Sequence, residues 1–357
     1  MDMKMIKAAR WYGPRDVRLV SEPQPQPGPF DALIRVESVG VCGSDIHYYL
    51  EGRIGNAALK GPTILGHEYA GVVVEVGRQA DPALVGRRVA VEPGIPCMAC
   101  EWCRTGHYNV CEHMFFPGGP GCDGAMREMM TVDARFCFPV PDSMPPAVAA
   151  MIEPAAVAAH TVELAALRPG ETVFIAGLGP IGMLTAQMAR ACGAARVLGA
   201  DLLPERVDFA REKGWVDDAT VARSGGSDGG ALETVRWVMD RTAGAGADVA
   251  VDATNRPEGI WVAVRSCRPA GRCVLTGISG NDDDLVPVGF ARRRELTLRW
   301  CRRFLNNYPG TIALIEAGRI DVASLITHSF TLDEAPQAFD LVASYADGVL
   351  KASVDMP

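Results

Sequence analysis

Residues 172–182 run Thr172-Val173-Phe174-Ile175-Ala176-Gly177-Leu178-Gly179-Pro180-Ile181-Gly182, and their reading decides the fold. The apolar run from Thr172 to Ala176 predicts a buried strand, and the glycines after it predict a tight turn opening into an apolar helix from Pro180 to Cys192. The same grammar repeats at once. Arg196 to Ala200 reads as a strand and Pro204 to Lys213 as a helix, with further strands at Asp248 to Asp252 and Arg272 to Gly277. Strands alternating with helices build βαβ units, so this part of the chain is expected to be α/β, a doubly wound parallel sheet.

Each glycine of the turn has a task in such a sheet. Gly177 permits the tight turn, Gly179 lets the backbone approach a pyrophosphate, and Gly182 lets the helix pack closely on the strand. A pyrophosphate would meet unpaired N–H groups and the positive end of the helix dipole. The glycine pattern alone also fits a purely structural turn; its context separates the two readings. Asp201 ends the next strand 19 residues past Gly182, where a carboxylate accepts hydrogen bonds from the adenosine ribose hydroxyls. An acidic group there repels a 2′-phosphate, so NAD is expected over NADP. Arg206, about one helical turn away, could instead meet a phosphate or lie solvated on its helix. Ile181 in the turn and Ile278 after the strand ending at Gly277 complete the expected cofactor contacts.

The N-terminal part has a different texture. Short β-like runs, Ala32 to Val39, Ala70 to Val76 and Arg87 to Val91, are broken by Pro and Gly clusters, predicting an irregular β-rich domain up to about Ala150. From about Leu298 helix and strand mix again, so the cofactor fold is expected to be an insertion in the other domain. Ser224 to Gly230 reads as a flexible surface loop.

At 357 residues, 48% apolar and 22% charged, the chain can bury two cores and is too apolar for disorder. A formal charge of −8 without a long basic block argues against nucleic acid as a partner. No apolar run reaches the roughly 20 residues of a membrane span. The start MDMKMIKAAR lacks a signal peptide's apolar stretch, so a cytoplasmic protein with no membrane partner is expected. Eleven cysteines in such a chain point to metal or catalysis rather than disulfides.

Four of those cysteines, Cys97, Cys100, Cys103 and Cys111, fall within fifteen residues. One loop can then wrap a single ion tetrahedrally, and a closed shell of four thiolates leaves no position for substrate, so a structural zinc is expected. An iron–sulfur cluster shares the first spacings but has little other support in this sequence. A second, dispersed set comprises Cys42, His67, Glu68 and Glu153. A thiolate, an imidazole and one or two carboxylates suit a catalytic zinc that keeps one position open.

Taken in order, Cys42-Gly-Ser-Asp, Gly66-His67-Glu68, the four-cysteine loop and Gly177-Leu-Gly-Pro-Ile-Gly182 resemble the zinc-containing medium-chain dehydrogenases through essentially the whole chain. Within that family His47-Tyr48-Tyr49-Leu50-Glu51-Gly52-Arg53-Ile54-Gly55-Asn56, Phe136-Cys-Phe-Pro-Val-Pro-Asp142 and Ile152-Glu153-Pro154 resemble the sorbitol/xylitol dehydrogenase group. The resemblance implies a Rossmann domain over residues 154–298, set in a GroES-like zinc-binding catalytic domain of residues 1–153 and 299–357. It also implies one catalytic and one structural zinc per chain. Cys42, His67 and Glu68 would hold the catalytic zinc, with Glu153 a direct ligand or the holder of its water.

The activity implied is oxidation of a secondary alcohol of a polyol to a ketose, with hydride transfer to NAD. Zinc lowers the pKa of the alcohol's proton, and the resemblance assigns the proton relay to Ser44 and His47. Tyr48 and Arg303 match polyol-contacting positions, but where the group has Phe-Arg-Tyr this chain has Arg302-Arg303-Phe304. Arg302 is thus an extra guanidinium that faces solvent, a neighbouring subunit or an acidic sugar derivative. A homodimer or homotetramer is implied as well. The rival enzyme reading is a 2,3-butanediol-type dehydrogenase, whose members begin like Ala8-Ala9-Arg10-Trp11-Tyr12-Gly13-Pro14. The rival of another class, a non-catalytic NAD-binding or quinone-reductase-like protein, has no need of Cys42, His67, Glu68 and Glu153.

Overall fold

In the computed structural model, which describes residues 4–225 and 229–357, the chain divides into two units. The first gathers Met1–Glu153, Tyr308–Ala313 and Val322–Pro357; the second holds Pro154–Asn307 and Leu314–Asp321.

The second unit is built on six parallel strands: Thr172–Ala176, Arg196–Asp201, Asp218–Val221, Ala247–Asp252, Cys267–Leu275 and Thr297–Trp300. Numbered in that order, they lie in the sheet as 3-2-1-4-5-6. This is the Rossmann order, whose direction reverses beside Thr172–Ala176. Helices cover both faces, so this strand is buried from Val173 to Ala176 and its sequence is continuously apolar rather than alternating. The glycine turn leads into the helix Pro180–Ala191, with Pro180 in its first turn, where a missing N–H costs nothing. Gly226, Ser227 and Asp228, the middle of the expected Ser224–Gly230 loop, lie outside the described residues, and Gly230 already begins the helix Gly230–Arg241.

The first unit is the GroES-like β-rich part. Its central strand, Asp31–Gly40, pairs antiparallel with Glu68–Val76 on one side. Its other side pairs with Met129–Asp133 over the first half and Lys351–Asp355 over the second. Arg88–Val91 and Cys137–Pro139 extend one edge, and Ile326–Thr331 the other. A smaller sheet joins Met5–Gly13 to Asp16–Pro23 and Thr63–Ile64. Ile34, Val36, Val73 and Val89 are fully buried in the core of this unit.

The division does not follow the residue 298/299 boundary read from the sequence: 299–307 and 314–321 group with the second unit. The reason is local bonding. Thr297–Trp300 closes the parallel sheet, the Cys301 N–H donates to the Leu275 carbonyl at 2.9 Å, and Gln187 clasps both backbone groups of Asp321 at 2.6 and 3.2 Å. Among the described residues one apolar helical stretch, Pro146–Leu164, is long enough to cross a membrane, but 72% of its 18-residue apolar window is buried inside the protein, as in a core helix.

Asp252, at the end of the fourth strand, is a stored pH liability. Burial pushes its carboxyl up to about 7, against the pull of the Thr254 hydroxyl and N–H, which donate to it at 2.8 and 3.1 Å. A carboxyl raised in the folded state binds more protons there than in the unfolded chain, so its contribution to stability falls as pH rises from about 4 to about 7. Asp252→Asn keeps an acceptor for Thr254 and removes the titration. We expect the variant to gain on the wild type as pH rises from 5 to 8, by about 3 kcal/mol, most of it below pH 7. Melting temperatures of both proteins across that range check this; a constant difference would refute it.

Candidate active site and metal centres

Two chain segments converge in the first unit. Cys42 is the N-cap of the helix Gly43–Glu51, and His67 and Glu68 stand at the start of the strand Glu68–Val76. The ligand atoms of Cys42, His67 and Glu68 all lie within 4.8 Å of one another, close enough for one ion. His67 and Glu68 are buried and Cys42 half-buried, the setting of a metal site with one accessible side. Glu153, in the first turn of Ile152–Leu164, is 5% exposed and outside that compact set.

Asp45, which the sequence reading passed over, organises the group. One carboxylate oxygen accepts the Cys42 N–H at 3.0 Å; the other accepts the Gly66 N–H at 3.2 Å and lies 3.4 Å from His67 Nδ1. A carboxylate behind the imidazole fixes ring orientation and leaves the other nitrogen for a metal. Burial alone would lower the His67 pKa, but Asp45 and Cys42 together hold it well above the ordinary imidazole value. The site attracts a cation, a proton or a metal.

The four-cysteine loop is assembled locally. Zinc with sulfurs at 2.3 Å in a tetrahedron separates them by roughly 3.8 Å. The Cys100–Cys103, Cys100–Cys111 and Cys97–Cys103 sulfurs lie 3.4, 3.8 and 4.0 Å apart, so the donor set fits that ion. Backbone N–H groups of Ala99 and Cys100 point at the Cys97 sulfur and push its thiol down to about 6, while burial pushes Cys103 up to about 12. A metal bound there takes all four sulfurs as thiolates and releases their protons. All eleven cysteines are free thiols.

In the second unit Gly177 adopts φ 95°, a left-handed conformation that favours glycine, and a Cβ at Gly182 would collide with the Gly177 carbonyl oxygen. Asp201 accepts the Leu178 N–H at 2.7 Å and the Leu203 N–H at 2.9 Å, which fixes its carboxylate beside the turn. Arg206 Nη1 is 4.0 Å from Asp201 and 3.4 Å from where a Cβ on Gly179 would stand, so the guanidinium overlooks the turn. Ile181 is half-buried and Ile278 is exposed.

Ser44, His47 and Tyr48 all lie on the helix that Cys42 caps; Ser44 and His47 are half-buried and three residues apart, hence on one face. Arg303 has φ 58° and Asn306 φ 53°, both rare for residues with side chains and costly unless the surroundings fix them. Arg302 is exposed, whereas Phe304 is 1% exposed and serves as core, which accounts for an apolar ring at that position.

Comparison with known proteins places this geometry. Residues 28–142 match the alcohol dehydrogenase GroES-like domain and residues 180–317 the zinc-binding dehydrogenase family. A sorbitol dehydrogenase of Bacillus subtilis is 34% identical over 98% of this chain and 97% of its own length. The chain belongs to the zinc-containing medium-chain alcohol dehydrogenases. A protein named Probable D-xylulose reductase A from Aspergillus fumigatus is 35% identical over 92% of this chain and 90% of its own. The crystal structure of 2R,3R-butanediol dehydrogenase from Bacillus subtilis superposes with a TM-score of 0.83 at 29% identity, covering 98% of this chain and 99% of that one. This is a zinc-dependent, NAD(P)-linked alcohol or polyol dehydrogenase, with a four-cysteine structural zinc site and a Cys/His/Glu catalytic one.

Two further residues of the enzyme's metal centre escaped the sequence reading. Lys351, 283 positions from Glu68, donates to both its carboxylate oxygens at 2.7 and 2.8 Å. Gly40 faces Glu68 across the sheet, and a Cβ there would strike the Glu68 carboxylate and come within 3.3 Å of the Glu68 Cβ. Gly40→Ala should therefore displace Glu68 and weaken that zinc site roughly 10–100-fold, as loss of a supporting contact does. Zinc analysis after brief chelation should find the four-cysteine ion alone; retention of both ions would show that Glu68 tolerates the methyl group.

Proposed function

We propose that the enzyme oxidises a secondary alcohol of a polyol, of sorbitol or xylitol type, to the ketose, with NAD as hydride acceptor. The observation that carries this reading is the retention of Cys42, His67 and Glu68 as one compact donor set, in a chain similar over nearly its whole length to a sorbitol dehydrogenase. Zinc at that set supplies Lewis acidity, which makes a hydroxyl acidic enough to lose its proton near neutral pH. Glu68 is the direct carboxylate ligand in this reading, and Glu153 is the residue that would hold the water at the open position. Ser44 and His47 carry the alcohol proton outward along one helix face. Tyr48 and Arg303 orient the remaining hydroxyls, which must exchange water for protein partners on entry.

NAD is the proposed cofactor because Asp201 holds an anionic carboxylate beside the glycine turn. Arg206, within reach of the same carboxylate, serves the ribose side rather than a 2′-phosphate. Residues 1–153 and 299–357 form the catalytic part in function and 154–298 the cofactor part. The enzyme works in the cytoplasm as a homodimer or homotetramer. A 2,3-butanediol-type activity is the second reading, favoured by the N-terminal Ala8-Ala9-Arg10-Trp11-Tyr12-Gly13-Pro14 segment.

The test is NADH formation on xylitol, sorbitol, galactitol, 2,3-butanediol, threonine and ethanol, each with NAD and NADP. We expect the highest kcat/KM on a pentitol or hexitol with NAD. A lead for butanediol would overturn the polyol assignment, and a lead for NADP the role given to Asp201. On the best substrate, Ser44→Ala should lower kcat by about 100-fold, the lower range for a lost proton-transfer group. Unchanged turnover would remove Ser44 from the relay.

A further inference from the structure

The Lys351 ammonium is 4% exposed and the Glu68 carboxylate 1%. Its three donors are fully committed, two to the Glu68 oxygens at 2.7 and 2.8 Å and one to the Val41 carbonyl at 3.2 Å. The same carboxylate belongs to the donor set whose atoms lie within 4.8 Å of the Cys42 sulfur and a His67 nitrogen. One anion thus serves two cations, a fixed lysine and a metal. A carboxylate has about four acceptor sites, so the lysine does not exhaust it.

We propose that Lys351 is a resident counter-cation of the catalytic metal centre: it holds the Glu68 carboxylate in its ligand position before zinc arrives, and then competes with zinc for that carboxylate. The inference rests on the reading of Cys42, His67 and Glu68 as a zinc site. An isolated buried carboxylate is costly, so the metal-free protein needs the lysine. Once a dication is bound, a second positive charge a few ångströms off in a weakly screening interior opposes it. The two effects have opposite signs. Removing the charge should destabilise the metal-free protein yet make it hold zinc more tightly, whereas a lysine that merely braces the strand would, when removed, let zinc go faster.

The experiment compares wild type, Lys351→Met and Lys351→Arg, each purified with zinc. Two quantities are read: the rate at which excess chelator strips the ion that Cys42→Ser lacks, and the Tm of the stripped protein. We expect Lys351→Met to lose that zinc at least tenfold more slowly and its stripped form to melt about 5 °C or more lower. Lys351→Arg should behave like the wild type. Zinc loss from Lys351→Met at the wild-type rate or faster would overturn the proposal. Should stripped Lys351→Met fail to fold, the stripping rate from the loaded protein still decides, and Lys351→Gln, a neutral donor, should show the same slowing. If Cys42→Ser retains as much zinc as the wild type, the zinc-site reading itself is wrong and this inference falls with it; if only the rates disagree, the site stands and Lys351 alone loses its role.

Discussion

The pairing of Asp31–Gly40 with Glu68–Val76 on one side and Lys351–Asp355 on the other is the constraint from which the rest follows. It brings the two ends of the chain into one sheet, so the α/β unit between them can only be an insertion. It also sets Gly40 opposite Glu68 and Ser353 opposite Gly40, which puts Lys351 within reach of the Glu68 carboxylate. In a sheet with one buried face register is strongly specified, because a one-residue slip exchanges the faces. The metal centre thereby inherits its precision from the core of the first unit rather than from its loops.

A site held that firmly collects charge that water would otherwise screen. Burial alone would depress the Lys351 pKa, yet Glu68, Cys42 and, more weakly, Glu153 raise it above the ordinary lysine value. His67 is raised likewise by Asp45 and Cys42. Four potential anions, Cys42, Asp45, Glu68 and Glu153, thus stand against one lysine and one imidazole. The excess of negative charge is what a dication neutralises, and it explains why a buried group of acids persists in a fold that would otherwise exclude it.

The legible parts of the sequence were those whose physics is local. The strand Thr172–Ala176, its glycine turn and the next strand's terminal Asp201 lie within 30 residues, and helix, turn and packing demands are written in the residues themselves. The four cysteines were equally plain because their ion is wrapped by one loop. Asp45, Gly40 and Lys351 left no such signature. An aspartate in a helix's first turn reads as a cap, a glycine at a strand end as a turn, and a lysine in Leu350-Lys351-Ala352 as a surface charge on an edge strand. Their roles come from partners 21, 28 and 283 positions away, through pairings that no short window contains. The grouping of residues 314–321 with the second unit is non-local in the same way: Gln187 reaches Asp321 across 134 positions.

The two zinc sites therefore differ in what each asks of the fold. At the four-cysteine loop, backbone N–H groups within two or three residues already lower one thiol, and sulfur spacings near those of a zinc tetrahedron arise within one fifteen-residue loop. Its ion and its loop order each other, and little else is needed. The Cys42, His67 and Glu68 site is the reverse: a helix N-cap and a strand start, aligned by Asp45 from one side and Lys351 from the other, before any ion is considered. Preorganisation of this kind leaves room for an open coordination position, since no ligand has to be recruited to complete the geometry. A closed shell suits a structural ion, and a rigid partial shell suits an ion that must exchange its outer partner at every turnover.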